Sequence, residues 1–216
     1  MKNFTYLIVF LISISCNKGS FLSSVNSPDN KISLDFKLVN GKPFYSINKE
    51  DKVIVSNSGL GLILKNDIDL TKGFKIKNQK QTSFNNNWNP IFGEYKTIKN
   101  NYNQLTLDLI NNEIEIKIEF RVYNDGVGFR YILPKQNSIQ NYDLMDEITE
   151  FNLSSKDSAW WVPGFSYRRY EFLYANTGID DISKKVYSDL VEDISYDSLG
   201  IDAAHTPLTI KKNNGI

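Results

Sequence analysis

Residues 160–174 read Trp160-Trp161-Val162-Pro163-Gly164-Phe165-Ser166-Tyr167-Arg168-Arg169-Tyr170-Glu171-Phe172-Leu173-Tyr174. A sugar presents apolar C–H faces that stack on aromatic rings, and hydroxyl rims that bond to arginine and carboxylate. Trp160, Trp161, Arg168, Tyr170 and Glu171 are therefore candidate carbohydrate or interdomain contacts. Pro163-Gly164 predicts a turn that places some of them on a loop. Large aromatics are mostly buried, so core or interdomain packing of Trp160 and Trp161 competes with that reading. Carboxylates offer a second chemistry, because glycoside cleavage needs two at a suitable separation. Glu147 and Glu150 qualify by count alone. Alternation puts Glu147 and Thr149 on one side and Ile148 and Glu150 on the other, and charge carried on a strand is the simpler reading. His205 is the sole histidine. It cannot build a two-histidine metal site, and nothing like Gly-x-Ser-x-Gly accompanies it. No catalytic constellation emerges from the residues themselves.

The N-terminus reads as an address. Lys2 precedes the apolar run Leu7-Ile8-Val9-Phe10-Leu11-Ile12, which is too short to span a bilayer as a mature helix. Ser13-Ile14-Ser15-Cys16 resembles a bacterial lipobox, with Ser13 where an aliphatic residue is usual. Residues 1–16 are thus expected to be a signal peptide, with Cys16 the lipidation site of an exported lipoprotein in the periplasm or outer membrane. Several acyl chains give stable anchoring where one does not. Ordinary signal cleavage with Cys16 incidental is the competing reading. Cys16 is the only cysteine, which excludes an intramolecular disulfide and a thiolate metal site. Residues 17–26 are expected to be a tether, and 27–216 the folded domain. Lys plus Arg and Asp plus Glu both number 25, so net charge is zero and no nucleic-acid partner is expected.

The elements that must position these residues are strands. In Lys31–Leu38, Ile32, Leu34, Phe36 and Leu38 share one face, a period of two. Asn40-Gly41-Lys42-Pro43 predicts a turn, Phe44–Ile47 a returning strand and Val53-Ile54-Val55 another. Gly59-Leu60-Gly61-Leu62-Ile63-Leu64 is apolar with two glycines. With no following Gly-Lys-Ser they signal close backbone packing or a bulge rather than a phosphate loop. Leu105, Leu107 and Leu109 alternate, and Asn111-Asn112 turns the chain. Ile114, Ile116, Ile118 and Phe120 then face one way, with Glu113, Glu115, Lys117 and Glu119 opposite. Asn124-Asp125-Gly126 predicts a tight hairpin in which Asp-Gly takes positive φ. Val127, Phe129, Tyr131 and Leu133 line the return strand. Repeated short strands predict an all-β antiparallel sandwich of two packed sheets. Val186, Leu190, Val191 and Ile194 allow one short helix within 184–196.

These residues carry a resemblance. Ser27-Pro28-Asp29, Trp88-Asn89-Pro90-Ile91-Phe92-Gly93-Glu94, Asn103-Gln104-Leu105-Thr106, Phe120 to Tyr131, Glu147 to Phe151, Trp160 to Pro163, Tyr170-Glu171 and Ala204 to Thr209 follow one another as in the N-terminal domain of glycoside hydrolase family 97. The resemblance implies a β-super-sandwich that packs on a (β/α)₈ catalytic barrel in exported α-glucosidases and α-galactosidases of Gram-negative bacteria. It also implies calcium, bound by glutamates, in the full-length enzyme, and either inversion or retention of configuration. A barrel takes about 250 residues. The chain stops at Ile216, before the positions where the family's calcium glutamate and catalytic carboxylates would fall. It is therefore expected to be a fragment, inactive alone, with no cofactor of its own. No catalytic or metal residue is carried over. A stand-alone carbohydrate-binding lipoprotein and a purely structural domain are the alternatives.

Overall fold

The computed structural model describes residues 20–139, 141–164, 171–190 and 202–213. Its strands are β1 (Ser20–Asn26), β2 (Ile32–Val39), β3 (Lys42–Lys49), β4 (Lys52–Gly59), β5 (Leu62–Leu64), β6 (Ile68–Leu70), β7 (Lys75–Trp88), β8 (Ile98–Asn111), β9 (Ile114–Tyr123), β10 (Val127–Ile132), β11 (Leu144–Glu147), β12 (Ser158–Trp161), β13 (Ala175–Gly178) and β14 (Thr209–Lys211). A 3₁₀ turn, Ile179–Asp181, and the helix α1 (Lys184–Leu190) follow β13. The fold is all-β, as the alternation predicts.

Two antiparallel sheets, β1-β2-β3-β4 and β10-β9-β8-β7, share one core. Ile32, Leu34, Phe36 and Leu38 of β2 are buried, and so are Leu105, Leu107 and Leu109 of β8 and Ile116, Ile118, Phe120 and Val122 of β9. A period of two sends every second side chain inward, so the buried faces are the apolar faces of the sequence. Aromatic rings fill the middle. Tyr45 lies 5.3 Å from Phe129 and 6.2 Å from Phe120, and Phe120 lies 6.2 Å from Phe36. A short sheet, β11-β5-β6, adds Leu62, Leu64 and Leu70 to this core.

The turns follow their residues, with one exception. Asn40 and Gly41 both take positive φ (51° and 77°) between the paired residues Val39 and Lys42, the geometry of a two-residue primed turn. Asn112 does the same (φ 53°) between β8 and β9. The β9–β10 hairpin forms with Val127 opposite Val122, but neither Asp125 nor Gly126 takes positive φ. With Val127 opposite Val122, Tyr123 and Gly126 form the next pair, and the Gly126 carbonyl accepts from the Tyr123 N–H (2.8 Å), so Asn124 and Asp125 are the turn's central residues and Gly126 flanks it. Asn124 Oδ1 accepts from the Asp29 N–H (3.1 Å), so the turn is also held from outside.

The second core is small. β13-β12-β14 form a three-stranded sheet whose inner side packs Ala159, Trp161, Phe172, Ala175 and Tyr187. The predicted helix is present as α1, and its deeply buried side chain is Tyr187. Leu190 is exposed, and positions 191–196 lie outside the described residues. A buried ion pair joins the two cores. Lys212 Nζ donates to Asp157 Oδ2 (2.6 Å) and to the Ile54 carbonyl of β4 (3.1 Å). The N–H groups of Asn213 (3.0 Å) and Ser154 (3.2 Å) complete the carboxylate's partners.

Candidate binding surface

β12 separates the two tryptophans. Successive strand residues point to opposite faces, so Trp161 enters the small core and Trp160 turns outward. Trp161 is 0% exposed; its Nε1 donates to Thr177 Oγ1 (2.9 Å) and its ring lies 5.6 Å from Tyr187. It is a packing residue with no face left for a sugar. Trp160 is 39% exposed on the central strand, opposite Asn176 of β13 and Thr209 of β14. Directly opposed residues hold their Cβ atoms about 5 Å apart. An indole flanked by an amide and a hydroxyl is the chemistry expected of a sugar platform. Glu171 is exposed in the segment leading to β13, whereas Arg168, Tyr170 and Cys16 lie outside the described residues.

Both glutamates hold hydrogen bonds of the fold. Glu150 Oε2 accepts from the Gly59 N–H (2.7 Å) and from Asn152 Nδ2 (3.1 Å), and its carbonyl accepts from the Tyr45 hydroxyl (2.7 Å). Burial pushes that hydroxyl up to about 12, helped by Tyr131 and Glu150 nearby, so it stays a donor. Glu147 Oε1 accepts from Thr149 Oγ1 (2.7 Å), which meets the Tyr131 hydroxyl at 2.9 Å. That hydroxyl accepts from the Gly61 N–H (3.1 Å), and burial raises its pKa. The two glutamates therefore tie the 147–152 segment to β4 and to the β4–β5 connection. The glycines there serve close packing, since a Cβ at Gly61 would lie 2.8–3.0 Å from Thr71 and Leu70.

The Ala204–Thr209 segment runs beside the tryptophan strand. Ala204 bridges Pro163, and the His205 N–H donates to the Val162 carbonyl (3.0 Å). Among the described residues no group of three or more His, Cys, Asp or Glu is placed to hold a metal ion.

Exposed apolar side chains form the other conspicuous surface. Leu144, Met145, Ile148 and Phe151 are exposed along one edge, and Leu173 and Tyr174 before β13. A further set, Trp88 at the end of β7 and Ile91, Phe92 and Tyr95 on the β7–β8 connection, is exposed as well. Sequence reasoning singled out Trp88–Glu94 for its wording and missed its exposure. The available signal was Ile91 and Phe92 between the turn residues Pro90 and Gly93, outside any alternating run.

Residues 25–216 match the family model described as Glycosyl-hydrolase 97 N-terminal. A glycoside hydrolase family 97 enzyme of Pseudoalteromonas sp. strain K8, solved in complex with panose, superposes with a TM-score of 0.75 at 29% identity, covering 89% of this chain and 27% of that one. The same organism's family 97 enzyme in complex with acarbose gives 0.74 at 29% identity. A retaining alpha-galactosidase of Bacteroides thetaiotaomicron is 23% identical over 132 residues, 61% of this chain and 19% of that protein. The chain thus spans about a quarter or less of the length of these relatives. On the match over residues 25–216, this chain belongs to the N-terminal domain family of glycoside hydrolase family 97.

Proposed function

We propose that this chain is the non-catalytic N-terminal module of an exported α-glycosidase, lipid-anchored through Cys16, which packs on a (β/α)₈ catalytic barrel and helps wall its substrate site. The observation that carries this reading is the family match over 25–216, together with relatives of which this chain covers 27% and 19%. Barrel active sites open at one end, where a neighbouring domain closes the cleft. The exposed apolar side chains at 144–151 and 173–174 supply surface suited to such a contact. Panose and acarbose, bound by the Pseudoalteromonas enzyme, point to α-glucosides, and the Bacteroides relative points to α-galactosides. Calcium, where used, belongs to the whole enzyme.

The test joins this chain to the catalytic part of the Pseudoalteromonas enzyme. The module is expected to melt at a higher temperature in the fusion than alone, and the purified chain to leave an aryl α-glucoside uncut. Cleavage by the chain above a heat-treated control would overturn the reading. Direct sugar binding is a second reading, favoured by Trp160 between Asn176 and Thr209. It predicts affinity for an α-linked oligosaccharide, lost in Trp160→Ala with the melting temperature unchanged; a flat titration of the unaltered chain removes it.

A further inference from the structure

β7 and β8 are each 14 residues long, whereas β9 ends at Tyr123, opposite Tyr102. Four pairs, Asn85–Asn101 through Trp88–Ile98, therefore run on beyond the third strand, followed by the nine-residue loop 89–97. At about 3.3 Å per residue this two-stranded ribbon overhangs the sheet by roughly 13 Å before its loop begins. A two-stranded ribbon alone is marginal in water. Its root is nevertheless locked. Phe84 stacks on Tyr102 (4.9 Å, 24°), Tyr102 meets Tyr123 at 5.0 Å, and the Arg121 guanidinium lies 4.8 Å over the Tyr102 ring. Thr97 Oγ1 donates to Asn89 Oδ1 (2.9 Å) across the loop's neck. The tip held out this way is apolar. Ile91 is 101% exposed and Phe92 89%, with Trp88 and Tyr95 beside them. Glu94 is the single charged residue in 81–95. Aromatic, charge-poor surface of this kind marks the centre of a protein interface rather than a solvated rim.

We propose that the β7–β8 ribbon is a docking arm whose tip, Trp88, Ile91, Phe92 and Tyr95, seats in an apolar recess of the catalytic domain joined to this module. The inference rests on the module reading above. The catalytic domain is the occupant because relatives carry about three-quarters of their length outside the part that this chain matches. Polar groups converging on a ring, which a sugar requires, are not what Ile91 and Phe92 present.

The test is limited digestion with chymotrypsin, which cuts after Trp, Phe and Tyr. Exposed loop tips are preferred sites of nicking. The isolated chain is expected to be cut at 88–95, and in the fusion with the Pseudoalteromonas catalytic part that cut is expected to slow at least tenfold. Ile91→Asp with Phe92→Asp is expected to leave the melting temperature of the isolated chain unchanged and to lower that of the module in the fusion. If the fusion stabilises the module yet the tip is cut as fast as before, the arm is free: the inference fails while the module reading stands. If the fusion neither stabilises nor protects, both fail. A dimer of the isolated chain that protects the tip would assign it to a second copy. Protection by phosphatidylethanolamine–phosphatidylglycerol vesicles would assign it to lipid. Either result overturns the inference.

Discussion

Asp157 and Lys212 show how one residue pair sets the behaviour of the small core. Burial works to raise the Asp157 carboxyl. The Lys212 ammonium and the Asn213 and Ser154 N–H groups outweigh it and hold the carboxyl below its ordinary value. Removing one partner of a buried pair leaves a charge without compensation, a loss of about 3–5 kcal/mol. Lys212→Met is expected to lower stability by about that amount in urea titrations at pH 7. The loss should shrink as the pH falls, because the stranded carboxyl then takes up a proton. A loss independent of pH would show that packing, not charge, is responsible. Asp69 adds an acid limit of its own. Hydrogen bonds from Thr71 and Lys72 lower it to about 2. Both carboxyls lie below their unfolded value near 3.8, so their stabilisation is complete above that value. It is lost as the pH falls through the folded values. The urea midpoint should be flat from pH 7 to 5 and fall between about 4 and 2. Trp161→Ala empties the small core and is expected to cost about 3–5 kcal/mol. Trp160→Ala, one residue away, should leave the urea midpoint nearly unchanged.

At the scale of elements, the connections decide more than the strands. The 147–152 segment is sewn to β4 and to the β4–β5 connection by Glu150 on Gly59, Asn152 on Ser58 and Asn57, and Tyr131 on Gly61. Gly61→Ala would bring a Cβ to about 3 Å from the Thr71 and Leu70 backbone, which cannot yield as a flexible side-chain end does. Core overpacking costs about 1–3 kcal/mol. Faster hydrogen exchange at the Leu62–Leu64 and Leu144–Glu147 amides should accompany that loss, with the β2 and β9 amides unaffected. The strands were legible because Ile32 to Leu38 and Ile114 to Val122 each keep a strict period of two. The β9–β10 turn was read incorrectly in one respect. Asp-Gly marks a hairpin, but the strand register puts Asn124-Asp125 rather than Asp125-Gly126 at the turn's centre, and neither takes the positive φ of a primed turn.

At the scale of the molecule, a large sandwich carries a smaller three-stranded unit through a buried ion pair, and the longest hairpin runs past its own sheet. Apolar side chains left exposed at the hairpin tip, at 144–151 and at 173–174 suit a module built against a neighbour. The isolated chain is accordingly expected to bind a hydrophobic dye in its folded state, at a temperature well below melting. Fluorescence in the fusion should fall as those faces are covered, and an unchanged signal would mean they remain in water.

Alternation alone specified β2, β8, β9 and β10 with their inward faces, and ordered wording specified the family, because both are local properties of the chain. Residues 20–26, expected within a tether, became β1 by pairing with β2, and β7, which carries no alternating apolar run, was decided by its pairing with β8. Tertiary structure decided the fates of Trp160 and Trp161. A tryptophan pair says nothing of which ring points inward until β12 lies between β13 and β14. It also decided that Glu150 serves the Gly59 N–H, ninety-one positions away, and that Glu147 serves the Thr149 hydroxyl two positions on. Contacts between residues distant in sequence leave no periodic trace. The overhang of the β7–β8 ribbon is of the same kind, since it depends on where β9 stops, not on any residue of the ribbon itself.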